Sequence, residues 1–160
     1  MKVHLIWAQD FNGGIGVSGK LPWHIKEDLK NFKTLTLNST IIMGRKTWDS
    51  LPIKPLPKRK NLVLSKTVQN DVITYHSFQE CFDDCKKQKL DKIFVIGGRS
   101  IYKLFFDYAD FLHITNVSLH NPKIDEFFPI SNIQIKSTFK IFLEQKLCND
   151  AVYSCWQKNN

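Results

Sequence analysis

The 160 residues suffice for one domain with a substantial core, since 42% of them are hydrophobic. The chain has 23 Lys and Arg against 15 Asp and Glu, and the resulting net charge of +8 favours anionic partners such as phosphates, carboxylates or nucleic acid. The basic residues are dispersed along the chain, so charge alone does not select nucleic acid. No apolar run has the length of a membrane span, and the N-terminus lacks a signal-peptide pattern, which predicts a soluble cytoplasmic protein without membrane contact.

The four cysteines do not form a metal-binding pattern. There is no Cys-x-x-Cys pair and no Cys/His grouping, so we expect no metal site. Cys81 and Cys85 are four residues apart in a predicted helix, where two thiols usually pack or face solvent. Cys148 and Cys155 could face each other across a terminal hairpin, so a disulfide there is an alternative to free thiols.

The N-terminal third contains a strand, a glycine-rich loop and an amphipathic helix. Residues 3–8 are nearly all apolar, as in a strand covered on both faces. Residues 10–20 hold four of the seven glycines and predict a long loop that acts as a lid or binding loop.

The stretch 21–35, LPWHIKEDLKNFKTL, is the part of the sequence with the clearest functional signal. At about 100° per residue, Ile25, Leu29, Phe32 and Leu35 fall within roughly a quarter turn of Asp28. A carboxylate among apolar side chains loses hydration, so its pKa rises unless a cation, a hydrogen-bond donor or a ligand pairs with it. The alternative is that Asp28 lies in the first turn of the helix, where the helix dipole stabilises any acid.

Two later segments read as strand, glycine, helix. Residues 40–43 run into Gly44, and residues 93–96 run into Gly97 and Gly98. This order exposes backbone N–H groups to an anion, and paired glycines allow a ligand to approach closely.

The remaining segments complete the predicted fold. Strands are predicted at 61–65, 71–75 and 112–117, a helix at 78–87, and a closing hairpin from 139–145 and 152–157. The fold class is therefore α/β, with residues 1–160 forming a single domain. It is a mostly parallel twisted sheet flanked by helices, with a C-terminal antiparallel hairpin. Together these features predict a nucleotide-like ligand beside a flat polar ring bound by a carboxylate.

The chain resembles the dihydrofolate reductase family along some 130 residues. The matching segments are LIWAQDFNGGIG, LPWHIKEDLKNFK, IIMGRKTWDSLP, PLPKRKNLVLS and FVIGGRSIY, followed by Thr115, Asp125 and FFP. The resemblance implies an oxidoreductase of one-carbon metabolism and tetrahydrofolate biosynthesis. NADPH would deliver hydride to C6 of dihydrofolate, with protonation at N5. It also implies a monomer and an antifolate target.

For the substrate, the resemblance implies that Asp28 binds the pterin and assists protonation at N5, helped through water by Trp23. Thr115 hydrogen-bonds Asp28, Leu21 belongs to the lid, and Arg59 grips the α-carboxylate of the glutamate tail. The other implied substrate contacts are Ile6, Ala8, Leu29, Phe32, Leu51, Lys54, Leu56, Ile96 and Tyr102.

For the cofactor, the resemblance implies contacts along the lid and both glycine turns, and a cis bond between Gly97 and Gly98. The implied NADPH contacts are Ala8, Ile15, Gly16, Gly44, Arg45, Lys46, Thr47, Leu64, Ser65, Lys66, Ile96, Gly97, Gly98, Arg99, Ser100, Ile101 and Tyr102. Lys66 suits a 2′-phosphate and favours NADPH over NADH. Ser100 stands where the family often has arginine, Leu21 where it often has methionine, and one extra residue lies near residues 52–54.

Two other functions fit parts of the sequence. A related pterin or pyrimidine reductase would not be expected to keep Asp28 and Arg59 together in these contexts. A basic nucleic-acid-binding module would need clustered bases interleaved with exposed aromatics, whereas most aromatics here fall at core-like positions. We therefore expect a small-molecule substrate and no nucleic-acid partner.

Overall fold

The computed structural model describes residues 1–160, and apolar segments rich in Val, Ile and Leu form its central eight-stranded sheet. Across the sheet the order is β5-β4-β3-β6-β1-β7-β10-β9. The strands are β1 Lys2–Gln9, β3 Thr40–Gly44, β4 Lys60–Leu64, β5 Ile73–Tyr75, β6 Lys92–Gly97, β7 Phe111–Val117, β9 Phe139–Cys148 and β10 Ala151–Lys158. The pairs from β5 to β7 are parallel, and β10 pairs antiparallel with both β7 and β9. The predicted fold class and closing hairpin are confirmed.

Five helices cover the sheet. They are α1 Lys26–Thr36, α2 Arg45–Ser50, α3 Phe78–Lys87, α4 Arg99–Phe105 and α5 Asn132–Thr138, and a 3-10 turn follows α4 at Phe106–Tyr108. Helix α3 has its predicted bounds because the Ser77 side chain accepts a hydrogen bond from the Glu80 N–H. Cys81, Phe82 and Cys85 form its buried face, so the two thiols pack into the core. None of the five helices is long and apolar enough to cross a bilayer.

The sheet separates two hydrophobic layers because successive strand residues point to opposite faces. On β1, Leu5 and Trp7 join a core of 22 buried residues, while Ile6 joins a smaller cluster with Met43 and Phe94. The smaller cluster is flanked by α1 residues such as Phe32. Asp28 therefore lies on the side of the sheet with the smaller, less completely buried layer.

The structure departs from the sequence prediction in the glycine-rich loop, in two unpredicted elements and in one possible disulfide. Residues 10–20 are not all loop, because β2 Gly14–Gly16 pairs antiparallel with β8 Glu126–Phe127 in a second, two-stranded sheet. Neither β8 nor α5 was predicted from the sequence. The possible Cys148–Cys155 disulfide is wrong, because Cys148 lies opposite Ala151, Cys155 lies opposite Leu143, and all four cysteines are free.

Two histidines and a tyrosine form a hydrogen-bonded row across β1, β7 and β10. Nδ1 of His4 is 2.9 Å from Nε2 of His113, and Nδ1 of His113 is 2.8 Å from the Tyr153 hydroxyl. Burial is the main cause that lowers the pKa of His4 to about 4 and that of His113 to about 3, with a further contribution from Lys92. Both rings are therefore neutral in the folded protein at neutral pH.

We predict that this row makes the fold labile to acid. In the unfolded chain both histidines titrate near pH 6.5, so the stability gained by keeping them neutral is complete above that pH. It is lost as pH falls toward 4. Each proton taken up on unfolding lowers the free energy of unfolding by about 1.4 kcal/mol per pH unit. Urea unfolding of the parent, His113→Gln and the exposed-histidine control His24→Gln at several pH values measures this slope.

The parent and His24→Gln should lose stability in parallel as pH falls. His113→Gln should start less stable at pH 7 and fall less steeply, because one of the two titrating rings is gone. A His113→Gln curve parallel to that of the parent would contradict the assigned neutral state.

Candidate active site

Asp28 lies in the first turn of α1, the position that the helix-dipole alternative assumes. Residues 21–25 precede the helix, and Ile25 is its N-cap residue without a side-chain cap. The acid therefore gains from the helix dipole. It also faces the sheet, because the Thr115 hydroxyl on β7 hydrogen-bonds it. The dipole interpretation therefore holds, and the functional role of Asp28 stays a prediction.

The Asp28 carboxylate is held by a strand threonine. The Thr115 hydroxyl donates a hydrogen bond of 2.7 Å to Oδ1 of Asp28, as the resemblance implied. Burial raises the pKa of the Asp28 carboxyl above its ordinary value, and the hydrogen bond from Thr115 offsets only part of that effect. No cation pairs with it, since the only two ion pairs of the protein lie elsewhere. The site thus keeps one acid with an unused acceptor oxygen.

A third hydrophobic cluster lies close to Asp28 and Thr115 in the chain. Ile25 is buried with Val117, and Ala8 and Trp23 pack against them. The Trp23 Nε1–H is buried without a hydrogen-bond partner in the protein. A buried indole donor without a protein partner is the type of group that binds a water or ligand atom.

The predicted pocket lining divides into two groups. Ile6 belongs to the smaller core cluster, and the members packed against that cluster are Phe32, Leu51, Leu56 and Ile96. Leu21 and Leu29 are not buried, with exposed fractions of 59% and 37%. The first group forms an apolar wall, and the other two residues present apolar surface to solvent at its rim.

Arg59 lies beside this wall, near the C-terminal end of helix α1. Its Nη1 donates to the Thr36 hydroxyl at 3.2 Å, its Nε donates to the Pro57 carbonyl at 2.9 Å, and the guanidinium lies 5.9 Å from the Phe32 ring centroid. No carboxylate pairs with it. Two fixed contacts leave the remaining N–H groups of a half-buried cation available for an anion.

Lys54 has a different neighbourhood from Arg59. It is exposed, and its Nζ lies 5.7 Å from the Trp48 ring centroid.

The two glycine turns are adjacent because β3 and β6 are parallel neighbours. A Cβ on Gly97 would lie 3.3 Å from both the Thr47 Oγ1 and the Tyr102 hydroxyl, and one on Gly44 would lie 3.0 Å from Ile101. Gly97 has φ +127 and forms the expected cis bond with Gly98. Only glycine fits there, and the result is a backbone cradle of the type that a dinucleotide requires.

The other predicted cofactor residues surround these turns. Arg45 pairs with Asp49 at 3.0 Å, and Arg99 donates to the Phe127 carbonyl at 2.7 Å, so neither guanidinium is wholly free. The Tyr102 hydroxyl donates to the Ile6 carbonyl and is buried. Exposed or half-buried at the carboxyl edge of the sheet are Lys46, Thr47, Ser65, Lys66 and Ser100, whereas Leu64 and Ile101 are buried.

The glycine-rich lid is fixed by two aspartates that the predicted site did not include. Asp10 Oδ1 accepts from the Gly14 N–H at 2.7 Å, and both Asp125 oxygens accept from the Ser18 N–H at 3.1–3.2 Å. Asp125 also donates its N–H to the Gly16 carbonyl. Ile15 and Gly16 thereby lie in β2. An aspartate directly before a glycine-rich loop is the signal that could have indicated Asp10, whereas Asp125 is 107 residues away from Ser18.

Comparison with known proteins agrees with this geometry. The family model described as dihydrofolate reductase matches residues 2–156. A dihydrofolate reductase of Ureaplasma parvum is 43% identical over 69% of this chain and 72% of its own length. One from Buchnera aphidicola is 43% identical over 81% and 80%. A dihydrofolate reductase from Enterococcus faecalis, solved in complex with NADP(H) and RAB-propyl, superposes with a TM-score of 0.85 at 30% identity, covering 99% of this chain and 97% of that one.

The fold is an α/β sheet with two glycine turns at adjacent strand ends and a half-buried acid, Asp28, hydrogen-bonded from strand β7. The chain belongs to the dihydrofolate reductase family, which confirms the identification made from sequence motifs.

We predict that Thr115 sets how far the Asp28 pKa rises. In Thr115→Val the carboxylate loses its only hydroxyl donor, so its pKa should rise further, while Thr115→Ser should stay near the parent. Carbon-13 NMR titration of the Asp28 side-chain carboxyl measures both. An unchanged titration in Thr115→Val would show that the hydrogen bond does not stabilise the charged form.

Proposed function

We propose that the chain reduces 7,8-dihydrofolate to 5,6,7,8-tetrahydrofolate with NADPH, as a single domain of residues 1–160. The observation that carries the proposal is the part-buried Asp28–Thr115 hydrogen bond of 2.7 Å, together with an apolar wall and the Gly97–Gly98 cradle. A buried carboxylate recognises a nitrogen heterocycle, and the cradle takes a dinucleotide. Both ligands would then meet in one cleft.

In this proposal Asp28 orients the pterin. Its carboxylate accepts hydrogen bonds from the 2-amino group and N3, which replaces the water it loses by burial. Thr115 holds one oxygen in place. The heterocycle therefore binds in one orientation, with C6 and N5 fixed relative to the cleft.

Asp28 and Trp23 would also promote protonation at N5. A carboxyl with a raised pKa holds a proton more readily near neutral pH than an exposed aspartate does. The partnerless Trp23 indole N–H can fix a water molecule between the acid and the ring. Ile6, Phe32, Leu51, Leu56 and Ile96 exclude bulk water from the same region.

The cofactor-side residues bind and orient the dinucleotide. When bound, NADPH supplies the hydride that adds to C6. Gly97 and Gly98 would let the dinucleotide come close to the protein backbone. Ala8, Ile15 and Gly16 would lie on its nicotinamide side. Arg45, Lys46, Thr47, Ser65 and Lys66 face the adenosine phosphates.

Arg59 binds the far end of the substrate in this proposal. Its free guanidinium N–H groups pair with the α-carboxylate of the glutamate tail, and Thr36 and Pro57 hold the side chain ready. The Lys54 ammonium lies over the Trp48 ring, so we assign it no fixed contact with the glutamate tail.

We further propose a cytoplasmic monomer that binds antifolates in the substrate cleft. All four thiols are free, as expected in a reducing compartment. Sedimentation or light scattering of the purified chain tests the monomer.

We predict that Asp28→Asn slows hydride transfer about 100-fold or more at neutral pH, while NADPH affinity stays nearly constant. The amide preserves size but cannot hold the proton. The neighbouring exposed acid offers a matched control, Glu27→Gln. Single-turnover absorbance with NADPH and dihydrofolate measures the rate, and cofactor fluorescence measures the affinity. Asp28→Asn turning over at the parent rate would refute the role of Asp28.

We predict that Arg59→Gln raises the KM for dihydrofolate about 10-fold or more with a smaller change in kcat, because the lost charge-assisted bond lies far from the reacting atoms. Lys58→Gln, at the adjacent exposed base, serves as the control. The assignment would be wrong if Arg59→Gln bound dihydrofolate as well as the control Lys58→Gln does.

A further inference from the structure

Asn61 places a buried amide on strand β4, on the sheet face that carries the smaller hydrophobic cluster. Val63, two residues further along the strand, belongs to that cluster, and every second residue of a strand points to the same face. Asn61 is only 7% exposed. A valine or leucine would suit such a position better, and a buried amide costs free energy unless it is hydrogen-bonded. The reason for the amide therefore lies in its hydrogen bonds.

The hydrogen bonds of the Asn61 side chain all go to one connecting segment, which we call the 56–59 turn. Nδ2 of Asn61 donates to the Leu56 carbonyl at 3.0 Å and to the Arg59 carbonyl at 2.9 Å. Oδ1 accepts from the Leu56 N–H at 2.9 Å. Both amide hydrogens are thereby used. One side chain thus fixes the first and the last residue of the turn.

The 56–59 turn is held by hydrogen bonds more than by packing. Its two middle residues, Pro57 and Lys58, are exposed. The Pro57 carbonyl accepts from Nε of Arg59 at 2.9 Å, and the Lys58 carbonyl accepts from the Asn38 N–H at 2.8 Å. The other two carbonyls of the turn are those that Asn61 binds. Loss of that amide would leave two of the four carbonyls without their protein donor.

The turn carries two residues that the proposed function assigns to the substrate. Leu56 packs against the smaller hydrophobic cluster as part of the apolar wall. Arg59 is held at its side chain by Thr36 and Pro57. Asn61 binds the Arg59 carbonyl, so it fixes the backbone from which the guanidinium projects.

We propose that Asn61 is a positioning residue for substrate binding, which holds the 56–59 turn so that Arg59 and Leu56 meet the tail of dihydrofolate. This rests on the proposed function, which brings the glutamate tail to Arg59. Asn61 acts through the turn and not on the reacting ring. Its loss therefore weakens binding of the tail and leaves hydride transfer unchanged.

The test compares a substrate that has the tail with one that lacks it, in the parent, Asn61→Leu and Asn61→Thr. Leucine matches the size of the amide, and the shorter threonine suits a strand if the leucine variant does not fold. Dihydrofolate carries the tail, and 6-methyl-7,8-dihydropterin presents the reacting ring alone. Absorbance of NADPH gives KM and kcat for each, and thermal melting gives the stability of each variant.

Ser131→Ala is the control for a general loss of stability. The Ser131 side chain accepts from the Gln134 N–H at the start of α5, so this variant also loses a hydrogen bond that a side chain makes to the backbone.

We expect both Asn61 variants to raise the KM for dihydrofolate about 3- to 10-fold, with kcat changed less than about 2-fold. The KM for 6-methyl-7,8-dihydropterin should stay at the parent value, and Ser131→Ala should match the parent with both substrates. A residue that only stabilises the fold would not distinguish the two substrates. An equal change in KM for both, or no change for dihydrofolate, would overturn the proposal.

A measurement without substrate separates this proposal from the proposed function. The chain has three arginines, Arg45, Arg59 and Arg99, so the NMR signal of the Arg59 Nε–H is assigned by its loss in Arg59→Gln. The bond to the Pro57 carbonyl protects this N–H from exchange with water, and Asn61→Thr should speed the exchange about 3- to 10-fold.

The two proposals fail in different ways. Unchanged exchange in Asn61→Thr would overturn the role of Asn61, whether or not the chain reduces dihydrofolate. If the exchange responds but the parent oxidises no NADPH with dihydrofolate, the proposed function fails while the hold of Asn61 on Arg59 stands.

Discussion

The site depends on one physical constraint, which is the partial burial of the Asp28 carboxylate next to a single hydroxyl donor. Thr115 satisfies one oxygen, no cation neutralises the acid, and burial raises its pKa. A partly desolvated charge with so few partners costs free energy in the ligand-free protein. A ligand with two nitrogen donors recovers that cost on binding. The arrangement therefore favours ligand affinity over the stability of the ligand-free fold.

The parallel sheet explains why the other groups meet around this acid. Strands β3, β4, β5 and β6 all end at one edge, so the glycine turns and Lys66 lie at that edge. The apolar wall from α1 and the smaller core cluster lies beneath the same edge. One end of the sheet thus carries both glycine turns and an apolar wall, without any domain movement.

Much of this was accessible from sequence, and the misses have physical causes. Helix α3 was predicted with its true bounds, since Ser77 caps it and its apolar period is regular. The start of α1 was missed because Ile25 offers no side-chain cap, and Leu21 and Trp23 before it extend the apolar pattern. Strand β8 has two residues and pairs only with a distant segment, so no local pattern reveals it. The partner of Arg99 likewise depends on a contact with a segment 28 residues away, which no local sequence pattern reveals.

The most direct test of the account is the pH dependence of a single turnover of NADPH with dihydrofolate by the purified parent chain. Because the substrate must gain a proton at N5 and the buried acid is the group that holds it, the rate should fall as pH rises. The apparent pKa should lie above the value of about 3.9 for an exposed aspartate. A rate independent of pH between 5 and 9, or no oxidation of NADPH at all, would contradict the account.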